Sequence, residues 1–257
     1  MNQISFGRMI PNAGYEARYR RSLLRMIDAL QNDTKKEIYS LYDIEIVKDA
    51  EFSLAQLMKG LRKKWYDIFT KRAKEMARWL MDKVGKRTRE EITKQLKKIG
   101  FIIPTPQYTK EEKADIDDLI AKNVKLIKSI PQKYLRQVQR VVKEAYLRGG
   151  DLEHIKKNIE NKFNSTVKNT ERRAYLIAKD QMNKITQKWA IMEAKRYGAK
   201  AGGWIHVSGE FSSRETHIEM NGKRFDLETG LYDRAVKKNV FPADLPYCAC
   251  QCEFFFE

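Results

Sequence analysis

The chain has 257 residues, 42% hydrophobic and 33% charged, with a formal net charge of +17. That length and balance give one or two domains with a sizeable core and exclude a disordered chain. No apolar run approaches the roughly 18 residues of a membrane helix, and the first residues lack a signal peptide's apolar core, so no membrane is expected and the chain should stay in a cytoplasm unless something else carries it out.

Proline spacing divides the chain. None occurs between Pro11 and Pro104, and only Pro131 between Pro106 and Pro242. Long proline-free stretches with helical periodicity read as helices. The first is expected over about Ala13–Gln31, with Thr34-Lys-Lys-Glu37 as a capping box opening a second, short one.

Ser53 starts a longer element. Leu54, Leu57, Met58, Leu61, Trp65, Ile68, Phe69, Ala73, Met76, Leu80 and Val84 recur at spacings of three and four, building one apolar stripe. The helix would reach roughly 45–50 Å before Gly85. Thr88-Arg-Glu-Glu91 reads as another capping box, so a kink is expected near Gly85, and Gly100 ends the segment.

Phe101–Pro106 reads as a connector and internal boundary, separating a basic helical region over 1–103 from a second region over 107–257. Thr109-Lys-Glu-Glu112 caps a helix to about Lys128. Pro131 opens the next, which stops at Gly149-Gly150. Asp151 caps a short helix to Phe163, and a long one runs from Thr170 to Tyr197, ended by Gly198. Beyond Gly202-Gly203, Trp204–Val207 and Cys248–Phe256 look like strands with turn-rich chain between them. The fold class read from this pattern is mainly α: long basic amphipathic helices at 107–199 and before, then a small α+β or β-rich module at 203–257.

Charge is unevenly placed. Residues 204–257 hold six Lys and Arg against nine Asp and Glu, so residues 1–203 carry about +20. Residues 51–98 alone hold fifteen Lys and Arg against six Asp and Glu. Arg62, Lys63, Lys64, Lys71, Arg72, Lys86 and Arg87 form a surface suited to DNA phosphates or an acidic protein face, with no base-reading motif. Trp65, Tyr66 and Trp79 are interleaved with these charges and read as core, sharing the apolar stripe.

The three cysteines, Cys248, Cys250 and Cys252, form one cluster and close no long loop, so they are no disulfide framework. With His217 or His206 they offer soft N/S donors of the kind zinc takes. Zinc sites use longer spacings on tight knuckles, however, and sulfurs on a straight strand diverge. Buried thiols are therefore expected, with zinc as the alternative. His217, near Arg214, Glu210, Glu215, Glu219 and Asp226, offers a general base. No nuclease carboxylate pair, nucleophile elbow, P-loop or dinucleotide fingerprint accompanies it. A pinned loop is the expected role, with no cofactor. Asn221-Gly222 is a tight-turn signal, with Lys223–Phe225 leaving it as a strand.

Trp204, Arg214-x2-His217, Asn221-Gly222-Lys223-x-Phe225, Phe241-Pro242, Pro246 and Cys248-x-Cys250, together with the Arg173–Gln181 helix, resemble the phage Mu F-like minor head proteins, also called the phage head morphogenesis domain. The resemblance covers about 130–253. It departs from the family pattern at Glu210, Ser212 and Ala249, where the family carries Asp, Arg and Arg. The resemblance implies a non-enzymatic minor head protein of a tailed phage, in the virion interior near the portal vertex and in the host cytoplasm during assembly. Its implied partners are the portal protein, coat or scaffold proteins and double-stranded DNA bound without regard to sequence. A nuclease or toxin-like enzyme using His217, or a plain nucleic-acid-binding protein, is the alternative.

Overall fold

The computed structural model describes residues 4–43, 50–101, 103, 107–148, 152–208 and 213–256. In chain order the elements are β1 (Ile4–Phe6), α1 (Ala13–Asp43), α2 (Ala50–Lys98), α3 (Lys110–Arg148), α4 (Leu152–Arg196), β2 (Ala201–Ile205), α5 (Glu215–Glu219), β3 (Arg224–Asp226), β4 (Leu231–Asp233), β5 (Lys238–Val240) and β6 (Gln251–Phe256). Four long helices precede a small strand-bearing module, so the chain is mainly α with a C-terminal α+β piece.

The helices are longer and fewer than the cap signals imply. Thr34 lies inside α1, buried, and its hydroxyl donates to the Leu30 carbonyl at 2.6 Å. Thr88 lies buried inside α2. Thr170 lies buried inside α4 and donates to the Thr166 carbonyl at 2.7 Å. Thr34 and Thr170 back-bond one turn up and Thr88 is simply enclosed, so burial on the apolar face overrides the helix starts expected at these positions. Thr109 is different: its N–H donates to Glu112 Oε2 (2.8 Å), the Glu112 N–H donates to Thr109 Oγ1 (3.2 Å), and α3 starts there. Pro131 sits inside α3 rather than opening a helix. Ile127, Ile130, Tyr134 and Leu135 are buried on either side of it. Their burial outweighs the roughly 3 kcal/mol that an interior proline costs. The expected break at Gly149-Gly150 with the Asp151 cap, and most of the 101–106 connector, lie outside the described residues.

The chain divides into two compact units. One comprises residues 18–77 and 121–177. Its core holds Tyr19, Leu23 and Ile27 of α1, Met58, Trp65 and Phe69 of α2, and Phe163 of α4. Most of the α2 stripe faces inward, as the periodicity requires, but Ile68 is 37% exposed and Tyr66, expected in the core, is 38% exposed. Two polar ties fix this core. Tyr19 donates to Asn123 Oδ1 at 2.5 Å. Asp33 accepts from the Trp65 indole and from Lys64, both at 2.7 Å.

The other unit comprises residues 1–17, 78–120 and 178–257. Its sheet has the antiparallel order β1-β6-β2-β3, with β4 and β5 as a separate hairpin. The register sets Trp204 opposite Cys252, Gly202 opposite Phe254 and Phe225, and Ile4 opposite Phe256. Phe254, Phe256, Trp204 and Phe225 join Ile92 and Leu96 of α2 and Ala190 and Ala194 of α4 in one core. No kink reading applies at Gly85, which lies inside continuous α2; a Cβ built there would stand 2.5 Å from the Trp189 ring. Its lack of a side chain is a packing requirement.

Candidate functional site

The C-terminal half of α4 forms the floor of the site. Asp180, Gln181, Thr186, Gln187 and Glu193 are buried there among apolar neighbours, so each needs a partner. Several find theirs in the module. Asp180 Oδ1 accepts the Tyr247 N–H at 2.6 Å, and its Oδ2 accepts from Lys184 at 3.0 Å. Gln187 accepts the Cys252 N–H at 3.0 Å and donates to the Met9 carbonyl at 2.9 Å. Asn183 donates to the Cys248 carbonyl at 3.3 Å. These bonds hold the segment before β6 in place, including Tyr247 at φ 61°, a left-handed conformation a tyrosine adopts only under constraint.

That segment decides the cysteine geometry. Cys248 and Cys250 do not lie on a straight strand; β6 begins at Gln251, and only Cys252 belongs to it. The divergence expected of strand sulfurs therefore does not occur. Cys248 Sγ stands 3.3 Å and Cys250 Sγ 3.7 Å from His217 Nδ1. His206 Nδ1 stands 3.6 Å from Cys250 Sγ. Cys252 is not part of the group: its thiol donates to the Glu253 carbonyl at 3.0 Å. All three cysteines are buried and unpaired by disulfide.

Short α5 delivers His217. Its side chain is 2% exposed, packed edge-on to Trp204 at 5.0 Å between ring centroids. His217 Nε2 faces Asp233 Oδ2 at 3.3 Å, and the Asp233 side chain is fully enclosed at the end of β4. Burial pushes the Asp233 carboxyl up, but the Ala235 N–H, the Thr216 side chain and His217 together hold it below the usual carboxylate range. The two neighbouring thiols are driven apart. Cys250 is lowered to about 7, first by the Cys248 thiol beside it and against its own burial. Cys248 is raised, by its contact to Cys250 and by burial.

The remaining motif residues frame this cluster. Arg214 precedes α5 and donates to the Pro246 carbonyl at 2.9 Å. Gly222 takes φ 78° in the turn after α5, and its N–H donates to the Trp204 carbonyl at 2.7 Å. Asn221 Oδ1 accepts the His206 N–H at 2.8 Å. Phe225 packs edge-on to Trp204. Glu210 and Ser212 lie outside the described residues. Asp180, Gln187 and Asp233 carry functions here that the sequence alone does not give them, whereas His206 is one of the two histidines the sequence offers as a zinc donor. Asp233 and His206 lie far from the cysteines in sequence, and no spacing signal links them.

The basic residues are dispersed. Arg62 and Lys63 line a groove with Tyr66, Pro131, Gln132, Leu135 and Arg136, and Arg62 donates to Gln139 Oε1. Lys64 pairs with Asp33, and Arg72 with Glu75 at 3.0 Å. Lys71 is exposed. Lys86 and Arg87 belong to the other unit; Lys86 stands 3.9 Å from Glu90, and Arg87 donates to the Ile10 carbonyl at 2.9 Å.

Residues 136–253, just under half of the chain, match the family model described as "Phage Mu protein F like protein". The family resemblance read over about residues 130–253 is thus shown for that matched stretch. The chain is also similar to an uncharacterized protein of Haemophilus influenzae (strain ATCC 51907 / DSM 11121 / KW20 / Rd), at 27% identity over 218 residues, 81% of this chain. The chain spans about half of that relative's length, 47%. No solved structure matches the chain.

Proposed function

We propose that this chain is a non-enzymatic minor head protein of a tailed phage. It sits in the capsid interior at the portal vertex, assists head assembly and touches packaged DNA. The family match over residues 136–253 carries the reading and supports a phage-head-related role. The portal, coat and DNA contacts are the finer part of the proposal.

Two physical features support that finer part. Residues 1–203 carry about +20, a charge suited to a DNA-filled shell. Arg62, Lys63 and Arg136 around Tyr66 form a basic groove with no base-reading arrangement, suited to phosphates of any sequence. His217 supports the non-enzymatic part. A general base must reach a substrate proton, and this imidazole is enclosed behind Trp204. Among the described residues no helix is long and apolar enough to cross a membrane.

The test is co-expression of the tagged chain with the portal and coat proteins of its own phage or prophage. Retention of portal or coat through a high-salt wash supports the proposal. Recovery of the chain alone, at every salt concentration and with all three proteins folded, contradicts it.

A further inference from the structure

We propose that His217, Cys248 and Cys250, closed by His206, form a structural zinc site that ties α5 to the chain entering β6. The ligand atoms of His217, Cys248 and Cys250 all lie within 4.8 Å of one another, and all three residues are buried. Zinc–sulfur bonds of about 2.3 Å and zinc–nitrogen bonds of about 2.0–2.1 Å at tetrahedral angles place sulfur and nitrogen roughly 3.6 Å apart. The observed Sγ–Nδ1 separations are 3.3, 3.7 and 3.6 Å. His217, Cys248 and Cys250 therefore stand at separations suited to three corners of a tetrahedron, and His206, 3.6 Å from Cys250 Sγ, is the histidine placed to supply the fourth.

The donor chemistry selects the ion. Two thiolates and two neutral imidazoles make a soft N/S set, which zinc takes and magnesium or calcium does not. Two thiolates also cancel the charge of a divalent ion, so the buried centre is neutral.

The surroundings are those of a metal-bound imidazole. His217 presents Nδ1 to the sulfurs and Nε2 to the enclosed Asp233 carboxylate. A carboxylate behind the ring fixes the tautomer in which Nδ1 carries the lone pair. His217 Nε2 has no other hydrogen-bond partner among the described residues. Backbone bonds set the ligand-bearing segments independently: Asp180 holds Tyr247, Asn183 holds Cys248, and Asn221 holds His206. With four protein ligands the coordination is closed, so the ion's role is to hold the module together rather than to bind substrate. The proposal does not depend on the head-protein role and can fail separately from it.

The test uses the full chain, purified without chelator from zinc-supplemented culture. Elemental analysis is expected to find about one zinc ion per chain. The Cys248→Ser/Cys250→Ser double variant is expected to lose at least about tenfold of that zinc, and Cys252→Ala to keep it. Because the double variant can fail to fold, the wild-type chain is also stripped of metal and titrated with cobalt(II) alone. Saturation near one equivalent, with the absorption of a tetrahedral thiolate–cobalt centre that zinc abolishes, is the expected result. A stripped wild-type chain that takes up neither zinc nor cobalt overturns the proposal. So does zinc retained in full by a folded double variant.

Discussion

Replacing Gly85 with alanine sets two effects of opposite sign against each other. Within a helix interior, alanine is favoured over glycine by about 1 kcal/mol, so α2 considered alone would be stabilised. The structure opposes this. The new Cβ would stand 2.5 Å from two ring atoms of Trp189 and 3.0 Å from a third. That ring has little room to give: it is buried, its Nε1 donates to Met81 Sδ at 3.0 Å, and Tyr108 packs edge-on at 5.7 Å. Overpacking of this kind costs about 1–3 kcal/mol. The net expectation is a loss of about 0–2 kcal/mol, at a fall in melting temperature of roughly 2–4 °C per kcal/mol for a chain of this size. Urea unfolding followed by tryptophan fluorescence checks it, with a lower midpoint at unchanged slope expected. In a Trp189→Leu background the same glycine change is expected to become neutral or stabilising. A raised midpoint for Gly85→Ala in the wild-type background would refute the packing argument.

Three further outcomes are expected. Asp33→Asn should cost about 1–2 kcal/mol near neutral pH, because Asp33 accepts charge-assisted bonds from Lys64 and the Trp65 indole. Burial raises the Asp33 carboxyl, but Lys64 and Trp65 hold it below its ordinary 3.8. Its contribution is therefore present above that value and lost as pH falls through the lower folded value. Urea midpoints of the two proteins should draw together as the pH is lowered from neutrality through the carboxylate range, and a gap that stays constant or widens on acidification would contradict the assignment. Asp233→Asn keeps every proposed ligand but removes the carboxylate behind His217, so zinc should be released to a competing chelator at about 10–100-fold lower chelator concentration. Lys63→Ala with Lys71→Ala should weaken DNA binding equally for unrelated sequences. The slope of log affinity against log salt should fall by about 0.9 for each phosphate no longer neutralised, and a sequence-selective weakening would argue against binding through the DNA backbone.

The α2 stripe was legible because a single helical face repeats Leu, Met, Trp and Phe at spacings of three and four. The Thr109–Glu112 cap and the Asn221-Gly222 turn were legible for the same reason: each is a local pattern fixed by bonds between neighbours. The positions of Thr34, Thr88 and Thr170 were not. At Thr34 and Thr88 the cap-like spacing is identical whether the threonine faces solvent at a helix start or packs inward in mid-helix, and only tertiary burial distinguishes the two; Thr170, the expected start of the last long helix, is likewise buried in mid-helix. Strand β1 was missed because three residues give no period; it exists by pairing with β6. The cluster itself was half legible. Its cysteines and histidines were visible, but their convergence depends on Asp180 and Asn183 bending the chain before β6, an interaction across more than sixty residues.

Mass spectrometry of purified, nuclease-treated particles tests the head-protein reading most directly. The reading predicts this chain's peptides in the particle fraction, in fewer copies per particle than the coat protein and retained after external DNA is removed. Particles assembled in cells that express the chain, yet carrying none of it at any stage of assembly, would contradict that reading.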